Sequence, residues 1–249
     1  MKMSKFKIFA IQEFENYIKE LTVKRKVKRI QLHHTYSPGY KNFDGKNQEA
    51  LQQGMRNYHI NTNGWADIGQ HFTIFPDGII LTGRSLESNP AGIYGANSGG
   101  ICVECLGNFD VGGDVMTEAQ QSAIVAVVRV LLDKFGLTAE KDVTYHSWWT
   151  TGGKSLGDYV RGSSVKTCPG TAFFGGNSRA SYEKNLMPLI KNYGKFTELK
   201  EVTEINDIVW ELSNAKIVSD AVLWIKKCNE DINVYWLCRK MANKLRGVS

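Results

Sequence analysis

The sequence predicts an α/β protein: a central mixed β-sheet flanked by helices, followed by a small all-α C-terminal module. Three observations predict it. Strand-like and helix-like segments alternate over most of the chain, the pattern of a sheet layered with helices. The 249 residues are 42% hydrophobic and 22% charged, which excludes a disordered or collagen-like chain. The composition then shifts after about Tyr193: residues 194–249 hold no proline and only two glycines.

Each element has a local reason. Ile11, Phe14, Ile18 and Leu21 recur at helical spacing and predict an N-terminal amphipathic helix. Val27 to His33 is a buried strand. Leu51, Met55, Tyr58 and His59 mark a second helix that ends near Asn61-Thr62-Asn63-Gly64. His71–Phe75 and Ile79–Thr82 flank Pro76-Asp77-Gly78, whose turn chemistry predicts a hairpin. Ile101–Leu106 is a further strand. Thr117-Glu118-Ala119-Gln120 has the form of a capping box opening a long helix, and Gly136 stops it after Phe135. Val143–His146 is a short strand, and Arg179–Ile190 a helix. In the tail, helix starts are expected at Thr203, Ser219 and Asp231, with Trp210, Trp224, Tyr235 and Trp236 as the small module's core. The expected domains are therefore 1–193 and 194–249.

Charge and apolar runs exclude some classes. The longest apolar stretch, Ala123 to Leu132, is broken by Arg129 and falls far short of the ~20 residues of a membrane span. Lys2, Lys5 and Lys7 are followed by too short an apolar run for a signal h-region, so neither membrane insertion nor signal-peptide secretion is expected. The net charge of +6 favours polyanions in general, anionic cell-wall polymers among them. Nucleic-acid binding would rest on that charge alone and is not expected. The tail carries nine basic and eight acidic residues, so almost all of the excess belongs to the first domain. Cys102, Cys105, Cys168, Cys228 and Cys238 are an odd, sparse set, not a disulfide framework. Cys102-Val103-Glu104-Cys105 has a redox or zinc spacing, but on a strand positions three apart face opposite sides.

The chemistry-bearing residues are His33-His34-Thr35 at a strand end, His146 at another, Cys168 before Pro169-Gly170, and Lys166. Taken singly, His33 could be a core imidazole and Cys168 a buried thiol. As a set they offer two imidazoles and one thiolate, the ligand count of a catalytic zinc site with one position open to water.

Their local contexts recur in one family in this order: Ile30-Gln31-Leu32-His33-His34-Thr35, Gly64-Trp65-Ala66-Asp67-Ile68-Gly69, His71-Phe72, Asp77-Gly78 and Gly83-Arg84. Gly95-Ala96-Asn97-Ser98, Glu104 through Gly107, His146 and Lys166-Thr167-Cys168-Pro169-Gly170 continue the series. Over roughly residues 25–175 the chain resembles the type 2 N-acetylmuramoyl-L-alanine amidases, the group shared by amidase-type phage lysozymes and peptidoglycan recognition proteins. The resemblance implies that family's mixed-sheet fold and a Zn²⁺ enzyme acting on bacterial peptidoglycan. The bond cut would be the amide between the lactyl group of N-acetylmuramic acid and L-alanine. It also implies His33, His146 and Cys168 as metal ligands, with Lys166 facing the oxyanion.

One departure stands out. Phage relatives with a catalytic tyrosine carry Gly-Tyr-His-Phe where this chain has Gly69-Gln70-His71-Phe72, and glutamine is no useful proton carrier at neutral pH. Glu104 lies where muropeptide-recycling relatives place a catalytic glutamate, and is expected to be the general base. Asn97, His71 and Arg84 match family positions along the substrate groove. Trp148 and Trp149 could stack on sugar, cap the site or belong to the core.

The resemblance thus implies a lytic enzyme, an endolysin held in the cytoplasm until the membrane is breached. Its helical tail is similar to C-terminal modules of clostridial and clostridial-phage wall hydrolases, which implies wall binding. Two rivals remain: a recognition module that holds peptidoglycan without cutting it, and a cytoplasmic recycling amidase. Retention of Cys168 favours an enzyme over the first; a separate tail module disfavours the second.

Overall fold

The computed structural model describes residues 6–193, 208, 209, 212–217, 219, 224, 227 and 232–245. The chain separates into two compact units, Met1–Lys191 and Asn192–Ser249.

The first unit is built on a six-stranded mixed sheet. In chain order its elements are β1 (Ile8–Phe9), α1 (Ile11–Glu20), β2 (Arg29–His34), α2 (Gln48–Asn61), β3 (Phe72–Ile74), β4 (Ile80–Thr82), β5 (Gly100–Cys105), α3 (Glu118–Phe135) and β6 (Val143–Tyr145). A helical run comes next as α4 (Arg179–Ser181), a π turn (Tyr182–Leu186) and α5 (Met187–Asn192). Pro188 has no N–H to return to the preceding turn, which accounts for the departure from α geometry beside it. The strand order is β1-β4-β3-β5-β2-β6. The β3–β4 hairpin and the β1–β4 pair are antiparallel, whereas the β3–β5, β5–β2 and β2–β6 pairs are parallel.

Register decides which residues meet at the site. His33 pairs with Glu104, Gln31 with Cys102 and Thr144, and Thr73 also with Glu104. Side chains alternate along a strand, so Gln31, His33, Thr73, Cys102 and Glu104 share one face. Ile30, Leu32, Phe72, Ile101 and Val103 turn to the other and are fully buried. Phe14 of α1 meets Phe72 edge-on, ring centroids 5.0 Å apart, which places α1 on that second face. Helix α3 packs against α1, β2 and β3. Helix α2 lies on the first face, where Gln52 donates to the carbonyl of Thr82 in β4.

The long helix is capped as expected at both ends, but its capping box is only half formed. The Thr117 hydroxyl accepts from the Gln120 N–H, an N-cap of the kind that contributes about 1 kcal/mol. Gly136 closes the helix in the left-handed region. The Gln120 side chain, however, does not reach back to Thr117. It is fully buried, donates to the carbonyls of Ile74 and Leu106, and accepts from the Tyr40 hydroxyl. A glutamine that can tie two strand ends to the helix is better satisfied there than in a solvent-facing cap.

β1 has only two residues, too few to show a periodicity, and is absent from the sequence expectations for that reason. β6 stops at Tyr145, and His146 opens a short 3₁₀ turn, His146–Trp148. Trp148 is core: its ring packs on Tyr145 and Tyr182, and its indole N–H donates to the Asn177 carbonyl. Trp149 donates to the Thr144 hydroxyl, beside the Arg29 guanidinium.

In the second unit, Ile208, Val209, Leu212, Cys238 and Ala242 form a buried cluster, with Trp224 and Trp236 packed against it. Helix α6 (Ile232–Leu245) supplies Cys238 and Ala242. Ser219 sits in a bend; the helix starts expected at Thr203 and Asp231, together with Trp210 and the Tyr235 side chain, lie outside the described residues. Among the described residues no helix is long and apolar enough to cross a membrane.

Candidate active site

The C-terminal ends of parallel strands are where side chains and loops of an open α/β sheet converge on a ligand. Here β2 ends in His33 and His34, β5 carries Glu104, and β6 delivers His146. Cys168 comes from the loop after Lys166. Asp110 grips that loop on both sides of the cysteine, one carboxylate oxygen accepting from the Thr167 hydroxyl at 3.0 Å and the other from the Thr171 N–H at 2.9 Å. Asn177 adds a bond from its amide to the Thr167 carbonyl, and the Ser147 N–H donates to the Cys168 carbonyl.

These elements bring His33, His146 and Cys168 into one group whose ligand atoms all lie within 4.8 Å of one another, a group that could hold a metal ion. The two Nδ1 atoms of His33 and His146 stand 3.2 Å apart, and the Cys168 sulfur 3.6 Å from His33 Nδ1. His33 and Cys168 are buried, while His146 is partly open to solvent. Burial pushes the His33 imidazole well below its usual range, with the charges of His146, Lys166 and His34 adding to it. Burial, then Lys166 and His34, take His146 down to about 4. Both rings are therefore neutral donors at neutral pH. Burial pushes the Cys168 thiol up, although the His34 backbone N–H, 3.4 Å from the sulfur, opposes it.

The group opens into a cleft of about 1060 Å³. Glu104 and Lys166 both line it. Burial raises the Glu104 carboxyl to about 7, and the Lys166 ammonium pulls the other way. One wall is a face of α2 together with the loop beyond its end: Met55, Tyr58, His59 and Trp65. The sequence pattern placed Met55, Tyr58 and His59 on the second helix without saying which way they face. Met55 is buried, Tyr58 is 58% exposed, and the His59 ring lies 4.7 Å from that of Trp65. Tyr36, 62% exposed, also lines the cleft.

His34 is not in the metal group. Its Nδ1 accepts from the Phe109 N–H, consistent with its place on the other face of β2. Asn97, His71 and Arg84, expected along the substrate groove, do not line the cleft. Asn97 accepts the N–H groups of Gly92 and Ile93, both at 2.9 Å. His71 is fully buried, accepts from the Cys102 N–H through Nδ1 and donates to the Ser88 carbonyl through Nε2. Arg84 spends its guanidinium on the carbonyls of Ile68, Asp67 and Asn89. These three side chains hold loops behind the cleft wall. The cysteine pair separates as the strand period requires: Cys102 lines the cleft and Cys105 does not.

Comparison with known proteins adds an independent finding. Residues 23–171 match the family model described as N-acetylmuramoyl-L-alanine amidase. The human N-acetylmuramoyl-L-alanine amidase is 36% identical over 80 residues, which are 32% of this chain and 14% of that protein. The endolysin of Enterobacteria phage K11 is 31% identical over 88 residues, 34% of this chain and 58% of its own length. Each match thus spans less than two thirds of the relative. Among solved structures, Drosophila PGRP-LB superposes with a TM-score of 0.49 at 18% identity, covering 72% of this chain and 88% of that one.

Proposed function

The chain belongs to the N-acetylmuramoyl-L-alanine amidase family, and from that premise we propose that it is a zinc-dependent peptidoglycan hydrolase of the endolysin type. It cuts the amide between the lactyl group of N-acetylmuramic acid and L-alanine of the stem peptide. The observation that carries the metal is the spacing of the donors. Bonds of ~2.0–2.1 Å to nitrogen and ~2.3 Å to sulfur, meeting at tetrahedral angles, set N···N near ~3.3 Å and N···S near ~3.6 Å. Two of the three donor distances match, 3.2 Å between the imidazole nitrogens and 3.6 Å from His33 to the sulfur, and all three donors lie within 4.8 Å of one another. Two imidazoles and a thiol also suit zinc better than magnesium or calcium.

Zinc, when bound by His33, His146 and Cys168, would acidify a water and polarise the scissile carbonyl. The chain's own residues do the rest. Glu104, held in the cleft with a carboxyl poised near neutrality, takes the proton from the attacking water and passes it to the departing alanine nitrogen. The carbon–oxygen bond forms and the carbon–nitrogen bond breaks, leaving a lactyl carboxylate and a free amine. Lys166 presents its ammonium to the oxyanion that develops between these events. The exposed ring of Tyr58 gives the α2 wall a flat apolar face against which a sugar or peptide can lie. On the same reading residues 194–249 attach the enzyme to the wall.

The test uses the whole chain and isolated Gram-positive cell walls. Turbidity should fall and new N-terminal alanine appear; a chelator should stop both, and added zinc should restore them. Walls bound without alanine release would establish a recognition module in place of the enzyme.

A further inference from the structure

Building on the zinc-site reading, we propose that Gln31 is a positioning residue for the metal centre: when His33 binds the metal, the carboxamide oxygen closes onto its Nε2–H, a bond not yet made in this structure, and holds the ring in the tautomer whose Nδ1 is free to bind. His33 turns Nδ1 toward His146 and Cys168, so its other nitrogen points away from the metal side. A neutral imidazole that gives one nitrogen to a metal carries its proton on the other, and that proton needs an acceptor. His33 Nε2 is buried and has no hydrogen-bond partner.

The missing acceptor lies two residues earlier. Gln31 Oε1 is also buried and also without a partner. The orientation of the amide is fixed by its other end, which donates to the Ala96 carbonyl at 2.9 Å; the reverse orientation would set oxygen against oxygen. Residues 31 and 33 share a face of β2, and both orphaned atoms converge on Gly92. A Cβ at Gly92 would collide with Gln31 Oε1 and stand 3.2 Å from His33 Nε2. A donor without an acceptor and an acceptor without a donor therefore face one small space, which glycine keeps open. Asn97 holds that glycine in place through the Gly92 N–H. The Cys102 sulfur also stands 3.2 Å from the same point, but burial keeps this thiol protonated and a weak acceptor. In the sequence, Gln31 is the polar residue between Ile30 and Leu32 of a buried strand.

Two substitutions separate the acceptor role from simple packing. Gln31→Glu keeps an oxygen for His33 and loses the bond to Ala96; Gln31→Met loses both. Zinc affinity is read by competition with a chromophoric chelator, and site symmetry by the absorption spectrum of the cobalt form. Gln31→Met should bind zinc about 10–100-fold more weakly, while Gln31→Glu stays within a few-fold of wild type. In the wild-type zinc form the His33 Nε2 proton should give a slowly exchanging imidazole resonance, a readout that needs no variant. Equal loss of affinity in both variants, or none in either, overturns the role. A wild-type chain that takes up no zinc overturns the metal site itself, whereas zinc uptake without alanine release sinks only the enzymatic reading.

Discussion

Cys168→Ser should abolish alanine release and lower zinc affinity by more than the ~10–100-fold typical of losing a group behind the ligands. The side chain is buried at the junction of the β2 end and the loop held by Asp110, and serine fits the space with little strain. Its hydroxyl does not ionise at neutral pH and so cannot replace a thiolate donor. Two consequences distinguish this from a folding defect. With zinc at a hundred times its dissociation constant, binding adds about 2.7 kcal/mol to wild-type stability; the variant's melting temperature should not respond to zinc. The pH dependence has a definite sign. The His33 and His146 rings are already neutral at pH 6, because their ordinary values are lowered, whereas the raised Cys168 thiol still holds its proton. Zinc must displace that proton, so wild-type affinity rises with pH by close to about one power of ten per unit between pH 6 and 8. A chelator-competition series against pH measures it, and the slope should flatten in Cys168→Ser.

Glu104→Gln should leave zinc bound and slow alanine release by about 10²–10⁴-fold, the range general acid–base groups contribute. Glutamine keeps the shape and the pairing of residue 104 with His33 across the sheet but can neither take nor give the proton. In wild type the basic form of Glu104 accumulates as pH rises toward about 7, so the rate should fall on the acid side. A bound cation would draw the carboxyl further downward, which sets the acid limb at or below that value. The residual rate of Glu104→Gln should have lost this limb. A variant with wild-type turnover would remove Glu104 from the proton path.

Much of the fold was legible because buried strands and the long helix leave strong signatures. Ile101–Leu106 is a continuous apolar run apart from its one carboxylate, and Thr117 with Gly136 bracket α3 by cap chemistry alone. That His33, His146 and Cys168 would meet was legible only through motif order, since tertiary structure brings them into a group that could hold a metal ion. The groove residues were not. Asn97, His71 and Arg84 carry groups that suit a ligand, but here those groups satisfy backbone N–H and carbonyls of loops that have no ladder of their own. A polar side chain that knits a loop and one that faces a substrate look alike in sequence. Helical spacing located α2 but not its orientation, and only the helix's position on the sheet turns Tyr58 and His59 toward the cleft. Asp110, which braces the Cys168 loop, gave no sign because its partners lie about 60 residues away in sequence.

The most direct test is to incubate the chain and zinc with a defined muropeptide, N-acetylmuramic acid joined to L-alanine and one further residue, and weigh the products. The proposed chemistry predicts free N-acetylmuramic acid and a peptide with a new alanine N-terminus, in equal amounts and only with the metal present. Cleavage between the peptide residues, release of a reducing sugar from longer glycan, or product formation undiminished by chelator would contradict it.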